Sequence, residues 1–223
     1  MSISLRFMVS AVLLGLMATG AAAQTGSFSA PHVMGFWNPV VGQGAAYSMQ
    51  SAKGDKTDMQ IAIVGKEQVE GKDAYWYETA FTHGSGQMIV KSLMVLNGTD
   101  THVSRVIMQM PGHPPMEMPT QTMHQGKTSQ PADVRSDAED LGSETITVPA
   151  GTFTCKHYRT KKGGGDVWVS EKISPYGLVK SKTSDASMEL TKVVTGAKDQ
   201  ITGTPQPFNP QMFMQQQQQS PNQ

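Results

Sequence analysis

Apolar and polar residues alternate with a period of two through the middle of this 223-residue chain. In TDMQIAIVG the alternation places Met59, Ile61 and Ile63 on one face, and DAYWYETAF, GQMIVKSLMVL and THVSRVIMQM repeat the pattern. Successive side chains of a β-strand point to opposite sides, whereas a helix brings the same face round after three or four residues. The pattern therefore predicts a chain that folds mostly into β-strands.

Turn-forming residues separate these strand segments. Asn97-Gly98 lies between two of them and is a strong signal for a two-residue hairpin turn. Glu70-Gly71 and the segment 149–151, Pro-Ala-Gly, mark further tight turns. Short connections favour antiparallel neighbours, so we expect roughly ten strands in a mostly antiparallel sheet. One or two short helices are expected in addition, within residues 36–41 and 131–141.

The first 23 residues have the composition of a secretory signal peptide. Arg6 supplies a positive charge, residues 7–17 form a short apolar core, and residues 21–23 are the small alanines that signal peptidase requires. We expect cleavage before Gln24 and export to the periplasm or the medium. No later stretch approaches the roughly 20 apolar residues of a membrane-spanning helix, so no transmembrane segment is expected in the mature chain.

The mature chain is expected to form one domain, residues 24–202, followed by a disordered Gln- and Pro-rich tail, residues 203–223. The full chain has 18 basic and 18 acidic residues, and removing residues 1–23 takes away only Arg6, which leaves 17 against 18. This balance does not attract nucleic acid or an anionic membrane. Cys155 is the single cysteine, so we expect no internal disulfide and a buried thiol.

A series of motifs in the C-terminal half resembles a known group of proteins. ETITVPAGTFTCKHYRT is followed by GDVWVSEKISPYGLVK and SMELTKV. The series VPAGTF-C-HYR, DVWVS, P-x-GLVK and MEL resembles an uncharacterised family of exported bacterial proteins, which is similar in architecture to the lipoprotein-localisation-factor-like proteins. The resemblance covers residues 143–194 and implies a half-barrel, a curved antiparallel sheet around an apolar concavity. It carries over no functional residue by position.

The main functional hypothesis is non-catalytic binding of a lipid or another apolar molecule in a methionine-rich concave sheet. Methionine is flexible and polarisable and adapts to varied apolar partners, and the chain has 16 methionines. Each buried methylene group of a ligand would contribute about 0.8 kcal/mol. The residues expected to line the ligand are Met59, Ile61, Ile63, Met88, Val90, Met94, Val106, Met108 and Met110.

The alternative hypothesis is a periplasmic copper-binding protein that uses the segment MQMPGHPPMEMPTQTMHQ. Thioether sulfur is a soft ligand that selects Cu(I), and imidazole also suits copper. The same methionines also fit the inward face of two strands around a PGHPP turn, and the residues leave both interpretations open. The candidate copper ligands are Met108, Met110, His113, Met116, Met118, Met123 and His124.

The sequence contains no motif that indicates an enzyme. The glycines at 163–165 lack the Lys-Ser/Thr of a phosphate-binding loop, and the nucleophile motif G-x-S-x-G is absent. We therefore expect no catalytic residue and no cofactor, with copper as the alternative. A third hypothesis is a structural or interaction role in the cell envelope, in which the Gln-rich tail contacts an unknown protein partner.

Overall fold

The computed structural model describes residues 33–34, 37–84, 86–97, 100–120, 132–133, 138–161 and 165–209. The signal peptide expected at residues 1–23 lies outside them. The described residues contain the strands β1 (Val33–Met34), β2 (Gln43–Ser51), β3 (Lys56–Val69), β4 (Lys72–His83), β5 (Gly86–Asn97), β6 (Asp100–Gln109), β7 (Met116–Met118), β8 (Ala132–Asp133), β9 (Ala138–Val148), β10 (Gly151–Thr160), β11 (Asp166–Val169), β12 (Leu178–Lys182), β13 (Ala186–Thr195) and β14 (Gln206–Pro207). Within these ranges no helix has the length and apolar character needed to span a membrane.

Twelve strands form one sheet in the order β14-β7-β6-β5-β4-β3-β2-β13-β12-β11-β10-β9. All neighbours in it pair antiparallel except β14 and β7, which run parallel. Strands β2 to β7 form one meander and β9 to β13 another, and the pairing of β2 with β13 joins them. Strands β1 and β8 form a separate parallel pair. The expected fold class, a mostly β protein built on one open, curved, antiparallel sheet, is confirmed.

Tight turns set the register inside the meanders. Glu70 and Gly71 connect β3 to β4, and both have positive φ, 51° and 75°. Positive φ at both central residues is the mark of a type I′ turn, whose twist matches that of the flanking antiparallel strands. Asn97 pairs with Asp100 at the end of the hairpin formed by β5 and β6. The turn predicted at Glu70-Gly71 is therefore confirmed, and a hairpin is present where Asn97-Gly98 predicts one, with its connecting residues 98–99 outside the described residues.

The sheet curves around the face that carries the main apolar core. Met59 and Ile61 in β3 belong to one core cluster with Val167 in β11, although three strands separate β3 from β11 in the sheet. The cluster therefore covers one face of the sheet continuously across these strands. The backbone N–H of Ala150 donates to the carbonyl of Leu190 at 3.1 Å and brings the β9–β10 turn back to β13. We call this side the inner face and the opposite side the outer face.

Neither segment expected to be helical forms a helix where the structure describes it. Residues 138–141 belong to β9, because Ala138 pairs with Thr160 in β10. Asn38 donates its backbone N–H to the carbonyl of Pro175 at 2.7 Å, a long-range bond in place of a helical one. The sheet also has more strands than the roughly ten expected, because a strand as short as β14 shows no alternation in the sequence.

The C-terminal segment 196–209, which we call the strap, runs from β2 to the far edge of the first meander. Ala197 donates its backbone N–H to the loop before β2, and Gln200 lies on the outer face against Glu78 in β4. The strap then ends as β14 beside β7. The sequence predicts a disordered tail from residue 203, but residues 203–209 lie against the sheet instead. The rest of that tail lies outside the described residues.

Candidate ligand-binding face

The pairing register shows where the predicted lining residues project. Directly paired residues of antiparallel strands project to the same side of a sheet. The pairing of Met59 with Phe81, of Phe81 with Met88, and of Val90 with Met108 therefore follows the inner face from β3 to β6. Together with the two-residue alternation, the register places on this face Met59, Ile61, Ile63, Met88, Val90, Met94, Val106 and Met108. Met110 directly follows β6, and a ligand-binding role for the whole set stays a prediction.

The inner face has two halves that differ in packing. In β2, β3 and β9–β13 it is filled by the main core, where Tyr47 and Leu190 are fully buried. Met59 and Ile61 belong to that core, so these two predicted lining residues pack against the protein's own side chains. Beyond it, in β5–β7 and the turn that follows β6, lies what we call the methionine patch: Met88, Val90, Met108, Met110, Met116 and Met118. All of these are half-buried except Met116, which is buried.

Three of the methionines considered as copper ligands lie side by side. Met108 pairs directly with Met116 across β6 and β7, and Met118 lies on the same face one row away. The Cβ atoms of directly paired residues are about 4.5–5.5 Å apart, so two thioether groups can reach one ion. His113 lies in the turn between these strands and is half-buried. Two further candidates lie outside the described residues, Met123 and His124.

Other metal-binding side chains do not cluster in the described part of the chain. There, no group of three or more histidine, cysteine, aspartate or glutamate residues is placed to hold a metal ion. Cys155 is buried, as predicted, and burial raises the pKa of its thiol to about 11. This cysteine therefore packs in the core as an unreactive, neutral side chain.

His157 belongs to a polar row in the second meander. Its Nδ1 lies 3.2 Å from Glu144 Oε2, and its Nε2 lies 3.0 Å from Asp166 Oδ1. The ring stacks on Trp168 with 4.4 Å between centroids. The hydrogen-bonding atoms of His157 are thus occupied by the protein's own groups, which favours a structural role.

An aromatic cluster adjoins the methionine patch on the inner face. The ring of Tyr77 lies 6.3 Å from that of Trp37 and 5.5 Å from that of Tyr176, and the last two rings are 5.1 Å apart, measured between centroids. Tyr77 pairs with Ser92 in β5, two residues from Val90 of the patch. Burial raises the pKa of Tyr77 to about 12. This tyrosine is therefore neutral at physiological pH and adds no charge to the inner face.

The three tryptophans of the chain differ in how their indole N–H groups are paired. Trp76 Nε1, on the outer face, donates to Glu67 Oε2 at 3.2 Å, and Trp168 Nε1, in the second meander, donates to Glu144 Oε2 at 2.8 Å. Trp37 Nε1 is buried and has no acceptor within hydrogen-bond distance among the described residues. Leaving a buried donor without an acceptor costs roughly 1–3 kcal/mol. No sequence pattern singles out Trp37, because its segment shows no periodicity.

Sequence reasoning also missed a buried polar cluster beneath the strap. Glu78 is 1% exposed and pairs with Lys91, which is 9% exposed. Glu78 Oε2 accepts the backbone N–H of Gln200 at 3.1 Å, its Oε1 accepts the Gln200 side-chain amide at 3.1 Å, and Lys91 forms an ion pair with Asp199. Burial raises the pKa of Glu78 to about 7. The sequence gives no local signal for this cluster, because the covering segment is 122 residues away.

An open groove of about 400 Å³ lies at the sheet edge, between β6–β7 and the strap. Arg105 and Glu117 in its wall share two hydrogen bonds of 2.8 and 3.0 Å, and the bond from Arg105 lowers the pKa of Glu117. Pro207 and Phe208 line the strap side. Met118 lines the groove as well, so the groove and the methionine patch meet at β7.

No protein-family model and no curated protein matches this sequence. A proposed exported protein with a YmcC-like fold from Bacteroides fragilis is similar in structure, with 14% identity, a TM-score of 0.37, and coverage of 72% of this chain and 99% of that one. A proposed lipoprotein from Parabacteroides distasonis has 13% identity, a TM-score of 0.33 and the same coverage, 72% and 99%. MucB, solved in complex with MucA(peri), has 13% identity and a TM-score of 0.41, over 73% of this chain and 53% of MucB. Likeness at this level describes partial similarity of fold, and no functional conclusion rests on it.

Proposed function

We propose that this protein is an exported, non-catalytic binding protein that holds the acyl chain of a lipid against the methionine patch. The observation that carries the proposal is the contrast between the two halves of the inner face. One half is filled by the protein's own core, while the other presents half-buried methionines such as Met88 and Met108. The signal peptide predicted at residues 1–23 supports export.

The chemistry of the patch suits a hydrocarbon chain. Covering apolar surface contributes about 25 cal/mol per Å² removed from water. Methionine side chains have several rotatable bonds and a polarisable sulfur, so they adjust to chains of different length and saturation. Ligand sites of this kind are typically apolar with a small number of polar groups that fix orientation. The proposal therefore predicts tight binding with loose selection for the acyl chain.

The direct pairing of Met108 with Met116 favours a second candidate function, binding of Cu(I). Thioether ligands select this soft ion, and Met118 and His113 lie close enough in the chain to complete a site. The two functions make different demands on the same side chains. An acyl chain requires apolar volume, which leucine also supplies, whereas Cu(I) requires sulfur.

The first experiment is native mass spectrometry of the mature protein purified from a bacterial periplasm. We expect an added mass of several hundred daltons that is lost on denaturation and that fragments as a lipid. An added mass of one copper ion, lost on chelation, would replace the lipid proposal with the copper one. A bare protein that also fails to take up lipid from vesicles would contradict the proposed function.

A pair of double variants separates the two candidates by chemistry. Met108→Leu with Met116→Leu keeps the apolar volume, because leucine and methionine exchange with little cost in a core. We expect this variant to retain lipid binding and to lose any Cu(I) binding. Met88→Gln with Met108→Gln makes the patch polar, and we expect it to lower lipid affinity at least tenfold. Val41→Gln, at an exposed apolar position, is the matched control and should bind as the wild type does.

A further inference from the structure

We infer that the indole N–H of Trp37 is the hydrogen-bond donor for the polar head of the bound lipid, a carboxylate or ester oxygen at the end of the acyl chain. The inference rests on the proposed function and adds a polar subsite to it. Its basis is the difference between Trp37 and the other two tryptophans, Trp76 and Trp168. Both of those donate to a glutamate, whereas Trp37 has a buried N–H and no acceptor in the described residues.

The position of Trp37 is fixed by the segment that follows it. The backbone N–H of Asn38 donates to the carbonyl of Pro175 at 2.7 Å. The Ser174 hydroxyl donates to the carbonyl of Asn38 at 3.0 Å. The Val40 backbone N–H also donates to the Ser174 hydroxyl oxygen, at 3.4 Å. Ser174 and Pro175 are themselves buried, so this anchor is part of the folded sheet. The indole is therefore held against Tyr77 and Tyr176 before any ligand arrives.

The subsite and the methionine patch lie on one continuous surface. Tyr77 in β4, which contacts Trp37, pairs with Ser92 in β5, and Ser92 pairs with Val106 in β6. The next residues along the same strands and face include Val90 and its partner Met108 of the patch. Neighbouring strands are about 4.8 Å apart, so β4 and β6 are separated by roughly 10 Å along the surface. A lipid with its oxygen at Trp37 would lay its chain across the patch.

The chemistry of the head group follows from that of the donor. An indole N–H is a neutral hydrogen-bond donor and not an acceptor. It can therefore bind an oxygen acceptor but cannot accept a hydrogen bond from an ammonium group. The surrounding tyrosines are neutral, so the subsite has no built-in preference between a carboxylate and an ester carbonyl. The occupant is accordingly an oxygen-headed amphiphile, either a free fatty acid or an acyl ester.

The test uses the mature protein with three probes of equal chain length, each brominated at mid-chain and delivered from a cyclodextrin stock. They are a fatty acid, its methyl ester and the corresponding alkane. We expect Trp37→Phe, which keeps an aromatic ring but removes the N–H, to lower affinity for the acid and the ester about tenfold. Affinity for the alkane should stay within about twofold. Trp76→Phe removes an indole N–H on the outer face and should leave all three affinities unchanged.

Bromine quenching supplies a readout that does not depend on the Trp37→Phe variant. In a protein carrying Trp76→Phe and Trp168→Phe, the remaining fluorescence comes from Trp37, and we expect the brominated probes to quench it. Loss of affinity for all three probes alike in Trp37→Phe, or unchanged affinity for all three, would overturn the subsite while leaving the proposed function intact. Quenching of the wild type that is absent from the variant retaining only Trp37, and so comes from Trp76 or Trp168, would do the same. Failure of every probe to bind the wild type would overturn the proposed function, and the subsite with it.

Discussion

Glu78 accepts two hydrogen bonds from Gln200 and lies beside Asp199, so two carboxyl groups meet where the strap contacts β4. Burial raises the pKa of Glu78 from 4.5 to about 7. Burial also opposes ionisation of Asp199, but the hydrogen bonds from Lys91 and from the Ile201 backbone N–H, together with the charge of Lys91, outweigh it and lower the pKa of Asp199. The pKa values of the two carboxyl groups are therefore shifted in opposite directions, that of Asp199 downwards and that of Glu78 to near neutrality.

The raised pKa of Glu78 makes stability depend on pH. A carboxyl group whose pKa is higher in the folded state contributes stability that is complete below about pH 4.5 and is lost as the pH rises through about 7. We expect the free energy of unfolding to fall by roughly 1–3 kcal/mol between about pH 5 and 8. Urea denaturation of Glu78→Gln should show a nearly flat profile over that range, while Glu171→Gln, at an exposed position, should keep the wild-type slope. A sloping profile in Glu78→Gln would assign the titration to another group.

Cys155 gives a second prediction for a single residue. Only the thiolate is a nucleophile, and with a pKa of about 11 it is roughly 0.1% populated at pH 8. We expect alkylation by iodoacetamide in the native protein to be at least a hundredfold slower than in guanidinium chloride. Mass spectrometry reads the single addition without ambiguity, because the chain has one cysteine. Rapid labelling under native conditions would show that this part of the core opens.

At the scale of elements, the strap is the segment whose role is least apparent from its composition. It is rich in Pro, Gly and Gln, yet it pairs with β7 as β14 and places Gln200 on Glu78. The Gln206 backbone N–H also donates to the Pro115 carbonyl at 2.9 Å. The strap is held to one face and one edge of the sheet by hydrogen bonds rather than by burial of apolar side chains.

Truncation separates the strap from the tail that follows it. We expect a chain that ends after Lys198 to lose roughly 3 kcal/mol of unfolding free energy, since several hydrogen bonds and the ion pair to Lys91 disappear together. A chain that ends after Asn209 keeps the strap and should unfold within about 0.5 kcal/mol of the full-length protein. Thermal or urea unfolding of the two truncations measures the difference. Equal stability of the two would show that the strap does not contribute.

The elements that could be predicted from the sequence are those with a local signal. The alternation around Met59 and Ile61 identifies β3 and its inner face correctly, and Asn97-Gly98 identifies the hairpin between β5 and β6. For the candidate site, the same alternation correctly groups residues such as Met88 and Met108 on one face.

The remaining features depend on contacts between distant parts of the chain. Nothing near β2 indicates that it pairs with β13, and so nothing indicates that the core fills the inner face around Met59. In the alternation of β4, Glu78 occupies a position that would face solvent. It is buried because the strap covers it. Trp37 lies outside any periodic segment, and its position depends on the distant residues Ser174 and Pro175. A sequence pattern identifies one strand or one hairpin at a time, whereas these features depend on how all the strands assemble into the sheet.

At the scale of the whole molecule, the pairing of β2 with β13 connects the two meanders through a shared core. Tyr47 in β2 pairs with Leu190 in β13, and its hydroxyl donates to the Leu178 carbonyl at 2.9 Å. Tyr47 and Leu190 are essentially unexposed. A destabilising substitution at this junction should therefore destabilise both meanders and not one alone.

Leu190→Ala tests this coupling. Removing a fully buried leucine costs roughly 2–5 kcal/mol, and we expect hydrogen exchange to accelerate together in β4 and in β10. Leu141→Ala, at a position that is 40% exposed, serves as the control and should change stability by about 0.5 kcal/mol or less. Accelerated exchange limited to β10–β13 would mean that the first meander is stable without the junction.

The same junction has a consequence for the order in which the protein folds. Strand β2 lies near the beginning of the domain, its partner β13 lies about 140 residues later, and the strap follows β13. Hairpins within each meander can form early, but the sheet cannot be completed until the last part of the domain is available. This high contact order slows folding. Under the proposed export, such a delay would keep the polypeptide unfolded during passage across the membrane and would let it reach the native state only after its C-terminal end has arrived.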